Sequence, residues 1–425
     1  MTEHRSPVSS TLRLKLAILL TVLAFAEFLV RGPVLAMHQQ GNDMAAPYIA
    51  AIRLMHHQDP YKYPGVLEEW VARGADPDIG LDDSAQRPIY PPTALPLFFP
   101  LALFRWVAAR ALYVLLCTAL YTLLVIRFSA LINTSWHSSR RWFFLAFAFG
   151  LAPMHTAIRL ANPSAITCIL FLLSLLLAHE ENDAGAALLL ALCLCIKPTI
   201  GPPALLLFLL GKRWKLLGLC AGFVSAISLF TLVYLAPVGR DWILHLRENT
   251  AYLFSYDGAA SFFGPNPACI NLQMPFYAIF HSIPLANVLA WTTASLLVLW
   301  WLILLRKSHA HDPQKSWLLL SAISLIGLLP IYQRTYNTGI ILLALLFVFR
   351  HPKSFQARAV LALSTVFLVP IHTILIMHVA FHLWPVFRQS RWWVAGFSCL
   401  ESWVILAAII LLLHAASQRT RRLQT

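Results

Sequence analysis

Apolar runs of bilayer-crossing length alternate with short polar connectors through almost the whole chain. LKLAILLTVLAFAEFLV from Leu14, LLGLCAGFVSAISLFTLVYLA from Leu216 and VLALSTVFLVPIHTILIMHVAF from Val360 approach or exceed the roughly 20 apolar residues that a helix needs to cross the hydrocarbon core. None of them alternates with a period of two, which argues against a closed barrel and for helices. Basic residues gather between the runs, at Arg5/Arg13/Lys15, Arg140/Arg141, Lys212/Arg213/Lys215, Arg306/Lys307/Lys315, Arg350/Lys353/Arg358 and Arg419/Arg421/Arg422. Placing these clusters in the cytoplasm predicts about twelve crossings with both termini inside. The spans fall near 14–36, 107–131, 142–159, 163–179, 184–197, 199–211, 215–236, 285–306, 316–332, 338–350, 358–383 and 392–414. The expectation is an all-α polytopic membrane protein, one domain over 1–425, with large outer loops at 37–91 and 237–284.

Two places interrupt the pattern. AGAALLLALCLCIKPTIGPPALLLFLLGKR, from Ala184, holds two half-length apolar stretches separated by Lys197-Pro198 and Gly201-Pro202-Pro203, and predicts a hairpin of short helices. Residues 92 to 104 form a second short apolar piece ahead of Arg105, lying along or dipping into the outer interface. Broken helices at membrane depth need protein or water around them, so both are candidate cavity walls.

Composition sharpens this picture. With 59% hydrophobic and 12% charged residues and a mean hydropathy of +0.68, a chain of this length has too little polar surface for a water-soluble fold. The net charge of +14 would point to nucleic acid in a soluble protein, but the basic clusters read as topology signals and no nucleic-acid module is visible. Six of the seven cysteines (all but Cys269) lie in or beside apolar runs, with no disulfide framework or zinc spacing. The first run exceeds the apolar core of a signal peptide, and Arg31-Gly32-Pro33 is a poor cleavage context, so a retained span is expected. Eight of the eighteen acidic residues fall in the 37–91 loop (Asp43, Asp59, Glu68, Glu69, Asp76, Asp78, Asp82 and Asp83), which sets the polar chemistry on the outer side. No repeat and no nucleotide-binding loop is evident, leaving ATP-driven or nucleotide-sugar chemistry unsupported.

Several residues could carry chemistry. Asp43 follows the first span and precedes an amphipathic stretch from Ala45 to His57 with Tyr48, Ile52 and Met55 on one face; it reads either as a helix cap or as a general base at the membrane surface. His56 and His57 point about 100° apart on a helix, a poor arrangement for one metal ion. Asp59-Pro60-Tyr61 and Tyr90-Pro91-Pro92 are turn-forming. Lys197, inside an apolar hairpin, is either an anchor for an anionic phosphate or a snorkelling or paired lysine. Arg334 in YQRTYN suits phosphate but also interfacial anchoring. Glu27 and Glu401 lie inside spans, protonated or paired. Asn162-Pro163-Ser164 and NPACINLQ (266 to 273) supply amides that hydrogen-bond sugar hydroxyls or cap helices.

In order along the chain, these pieces resemble glycosyltransferase family 87, membrane transferases of GT-C architecture that use polyprenyl-phosphate mannose. The resemblance is carried by Asp43 with Tyr48, DPY at 59 to 61, YPPTALPLFFPLALF at 90 to 104, ANPS at 161 to 164, the Lys-Pro hairpin, and NPACINLQ. The chain departs from the family at Ala161-Asn162-Pro163-Ser164, where Gly-Gln-x-Asn is common, and at 332–337, where relatives often carry Trp followed by His. The resemblance implies a GT-C helical bundle that transfers a mannose-like hexose, with inversion, from a polyprenyl-phosphate donor to a lipid or glycan acceptor. It further implies a multi-pass protein of the plasma (inner) membrane whose site faces the extracytoplasmic side. Asp43 carries over as the general base, and Lys197 and Arg334 as holders of the donor phosphate. Tyr48, Asp59, Tyr61, Tyr90, Asn162, Asn266, Asn271, Tyr336 and Asn337 are the expected substrate contacts. No metal and no cofactor is expected. A transporter or lipid-carrier flippase, and an inactive relative, are the competing readings.

Overall fold

Prolines and glycines cut the apolar runs into helices of very different length. The computed structural model describes residues 7–38, 42–78, 81, 83–133, 135–255, 260–261, 269–307, 313–368 and 390–422, and is almost wholly helical. Five described helices are long and apolar enough to cross a membrane: Ser10–His38, Trp106–Ile132, Trp214–Val238, Ile283–Arg306 and Leu400–Arg419. Other expected crossings are shorter, among them Pro163–His179, Asp183–Ile196, Ser316–Ile326 and Thr335–Arg350. At 1.5 Å per residue, a 14-residue helix reaches roughly 21 Å, short of the roughly 30 Å hydrocarbon core. Against about twelve expected crossings, two of them half-length helices, five described helices are long and apolar enough to span the membrane.

The breaks have local causes. The expected span 142–159 divides into Ser139–Phe149 and Ala152–Arg159 because Pro153 has no N–H to continue the first helix. The first span stays continuous through Pro33 by widening into a π-turn at Val30–Val34. Of the expected span 358–383, residues 369–383 lie outside the described residues; the rest forms Phe355–Ser364 and a 3₁₀ turn.

The chain divides into two compact units. The first comprises Met1–Gly32, Leu120–His155 and Ile270–Thr425. In it, Pro7–Leu29 packs along Ser139–Phe149, and Leu400–Arg422 packs against Pro313–Ile326 and Phe355–Ser364. Thr21 ties the first pair together, its hydroxyl 2.7 Å from the Trp142 carbonyl. Phe28 is wholly buried against Tyr121, Phe149 and His155, with ring centroids 5.4 to 5.7 Å away. Glu27, inside the span, pairs with Arg31 one turn on, at 3.1 Å.

The second unit comprises Pro33–Ala119 and Thr156–Cys269. Pro163–His179 packs on Asp183–Ile196, which packs in turn on Trp214–Leu235. Outside these lies Ala45–Met55, buried from Ala45 to Leu54 between Leu95–Ala102 and Val66–Ala72. Its Ala50 and Leu54 join Tyr61, Leu95 and Leu235 in a cluster that Trp242 and Leu246 close. Those last two belong to Asp241–Leu253, a helix within the stretch expected to be a plain outer loop.

Candidate functional site

The cap position of Ala45–Met55 falls on Met44, one residue after Asp43, and the Met44 side chain makes no cap hydrogen bond. Asp43 instead accepts a 2.6 Å hydrogen bond at Oδ2 from the Asn162 amide. Its backbone N–H donates to the Leu160 carbonyl at 3.2 Å, fixing the segment against the connector before Pro163. Asn162 has two tasks. Its Oδ1 caps Pro163–His179 by accepting the Ser164 N–H at 2.7 Å, while its Nδ2 serves Asp43. The cap reading of this asparagine therefore holds, with its amide nitrogen turned to Asp43. The Tyr113 hydroxyl fixes the connector from below by donating to the Asn162 carbonyl at 2.8 Å.

Lys197 reaches the same helix start. The Asp183–Ile196 helix ends there, ahead of Pro198, and Lys197 Nζ donates to Ser164 Oγ at 2.9 Å. Thr93, from the YPPT turn, donates to the released Cys195 carbonyl at 3.0 Å, satisfying one of the acceptors that a broken helix exposes. Gly201 makes the return possible, since a Cβ there would collide with the Leu194 side chain. A carboxylate and an ammonium thus flank one helix N-terminus, joined through Asn162 and Ser164. The partial positive charge of that terminus favours negative charge beside it.

The other polar candidates of this unit hold the outer segment together. Asp59 accepts the Tyr61 N–H at 2.8 Å and meets His245 Nδ1 at 2.6 Å. The Tyr61 side chain is buried and donates to the Tyr90 carbonyl at 2.8 Å. Burial pushes its phenol far above the usual value, and the Asp59 charge adds to the effect. Asn249 donates to the carbonyls of Tyr61 and Pro88, at 2.9 and 3.0 Å. Tyr48 is buried edge-on against Trp106 and donates to the Phe104 carbonyl at 2.6 Å. Burial raises its pKa against the opposing charge of Arg73. His57 stacks on Tyr234 with centroids 5.6 Å apart. Beside the clamp lies a cavity of about 430 Å³, lined by Arg53, Gln58, Asp59, Lys62, Pro64 and Glu69. Its buried cation, Arg53, is held by both Glu69 oxygens at 2.7 to 3.1 Å and by the Lys62 and Pro64 carbonyls.

The remaining candidates belong to the first unit or fall outside the described residues. Arg334 is half-buried in the two-residue strand Gln333–Arg334, ahead of buried Tyr336 and Asn337, and the Asn337 amide donates to Gln333 Oε1. Asn271 is buried, its Oδ1 accepting the Met274 N–H at 2.8 Å at the start of Gln273–Phe280. Asn266 lies outside the described residues. Two further residues of the second unit went unremarked in the sequence. Ser164 was visible only as part of a connector. Arg110, 4% exposed and donating to the Met37 carbonyl at 3.2 Å, was visible as a cation inside a predicted span, the same signal that singled out Lys197.

No curated protein and no solved structure significantly matches the chain. The model of one family does, over residues 89–265, a stretch that contains Tyr90, Arg110, Asn162, Ser164 and Lys197 and begins after Asp43. That family is Glycosyltransferase family 87, and the match supports it as the family of this chain and glycosyl transfer as its activity.

Proposed function

We propose that the protein transfers a hexose, mannose-like, from a polyprenyl-phosphate sugar to a lipid or glycan acceptor on the extracytoplasmic face of the plasma (inner) membrane, with Asp43 as general base. The observation that carries this reading is the hydrogen-bonded run Asp43–Asn162–Ser164–Lys197, which sets a base and a cation on either side of one helix start. In the reaction, an acceptor hydroxyl gives its proton to Asp43 as its oxygen attacks the anomeric carbon. The bond from that carbon to the phosphate oxygen breaks with its electron pair remaining on phosphate, and the configuration inverts. Lys197 holds the charge that develops on the leaving phosphate. Asn162 keeps the carboxylate in the orientation the attack needs.

The test is transfer by the purified full-length chain from labelled polyprenyl-phosphate sugars, comparing wild type with Asp43→Asn. Loss of a general base is expected to lower turnover about 10²- to 10⁴-fold. Undiminished transfer by a folded Asp43→Asn protein would remove Asp43 from the mechanism. Absence of transfer with every donor, alongside movement of lipid or solute across vesicles, would favour a transporter instead.

A further inference from the structure

Two buried arginines of the second unit are treated differently by their surroundings. Arg53 meets a carboxylate and two carbonyls. Arg110 is equally buried, but its described hydrogen bond is one, from Nη2 to the Met37 carbonyl. Among the described residues, its Nε and Nη1 are buried and have no acceptor. Buried polar groups are almost always hydrogen-bonded, and a buried cation without an anionic partner is costly to hold. The helix that carries Arg110, Trp106–Ile132, starts one residue ahead of the span expected at 107–131, which places Arg110 in its second turn. Tyr113, three residues on and on the same face, donates to the connector carbonyl of Asn162, whose amide holds Asp43. Trp106, one turn earlier on that face, is also fully buried with an indole N–H lacking an acceptor among the described residues.

We propose that Arg110 receives the phosphate of the lipid donor, with Nε and Nη1 donating to its non-bridging oxygens. The inference rests on the donor being a lipid phosphate and adds the residue that recognises it. A guanidinium stays charged when buried and matches phosphate geometry, which a lysine does as a point charge only. The division of labour between the two cations follows from charge. The donor phosphodiester is singly charged, and Arg110 holds it in the ground state. Bond cleavage adds negative charge, which Lys197 meets across the helix start.

The experiment uses the full-length chain in detergent micelles with farnesyl phosphate, farnesol and inorganic phosphate as probes, read by the ligand-induced shift in melting temperature and by titration of tryptophan fluorescence. Farnesyl phosphate should stabilise both wild type and Asp43→Asn, with farnesol far weaker. Arg110→Met should weaken farnesyl phosphate binding roughly 10- to 100-fold, the loss of charge-assisted hydrogen bonds, and Arg110→Lys should restore part of it. Farnesyl phosphate affinity unchanged in folded Arg110→Met would overturn the proposal. So would inorganic phosphate binding at Arg110 as tightly as the lipid, which would make the site one for free phosphate. Should Arg110→Met fail to fold, Arg110→Gln and Arg110→Lys carry the same comparison. Failure of wild type to bind farnesyl phosphate would remove the donor reading itself, whereas binding indifferent to Arg110 removes this inference alone.

Discussion

The outer clamp around Arg53 and the connector around Asp43 use the same residue types to opposite ends. At the clamp Arg53 is answered by Glu69, and Asp59 by His245 and by the turn at Tyr61. The result is a rigid scaffold. At the connector a carboxylate leans on an amide, an ammonium leans on a hydroxyl, and a guanidinium leans on a carbonyl. The partners in these hydrogen bonds are neutral, and they orient the groups. A charged side chain seated on neutral hydrogen-bond partners keeps most of its electrostatic reach for a ligand, whereas one seated on its counter-ion loses it. On the proposed function, that difference assigns the clamp to scaffold and the connector to chemistry.

The sharpest way to break the comparison is to exchange phenotypes. Asp43→Asn should lower turnover about 10²- to 10⁴-fold while leaving the melting temperature near wild type. Arg53→Met should do the reverse, leaving turnover per folded molecule unchanged. Removing one partner of a buried ion pair costs about 3–5 kcal/mol, and because Glu69 keeps 42% of its side-chain surface exposed, a loss of about 3 kcal/mol is expected. Denaturant unfolding in mixed micelles measures it, and a stability loss in Arg110→Met as large as that of Arg53→Met would erase the distinction. Next in size is Asn249→Ala. It leaves the Tyr61 and Pro88 carbonyls without this donor, at about 1–3 kcal/mol. The expected readout is faster proteolysis within 56–91 with donor binding intact.

Much of the connector was legible in the sequence, and much of the clamp was not. Asp43, Asn162 and Lys197 stood out because acids, amides and lysines beside apolar runs are conspicuous. What joins them was hidden: Asn162 divides its amide between a helix cap and a carboxylate, and that needs Asp43 and the connector side by side in space. Arg110 was hidden in another way. It obeys the rule that flagged Lys197, but it sits within a run long enough to read as one uninterrupted span. The helix Asp241–Leu253 went unread because its stretch is polar overall, although Asp241 in its first turn and Trp242 and Leu246 four apart are a helical signature. Without it the partners of Asp59 and Tyr61 cannot be named, and DPY reads only as a turn. Helix length was overestimated at 142–159, where Pro153 breaks the run, since hydropathy does not register a single backbone break.

The smallest effect is the most discriminating for the connector. Ser164→Ala removes the hydroxyl that accepts from Lys197 while leaving the Ser164 N–H on the Asn162 cap, so the helix start is retained. A single hydrogen bond to a charged group contributes about 1.5–3 kcal/mol, and water or substrate recovers part of it, so turnover should fall by about 3- to 10-fold. The donor KM should hold, because Arg110 seats the phosphate in the ground state and Lys197 acts on the charge that develops later. Ser164→Thr keeps the hydroxyl and should behave as wild type. If Ser164→Ala raised the donor KM and left turnover unchanged, Lys197 would be binding the donor in its ground state, and its place would move from the developing charge to donor recognition.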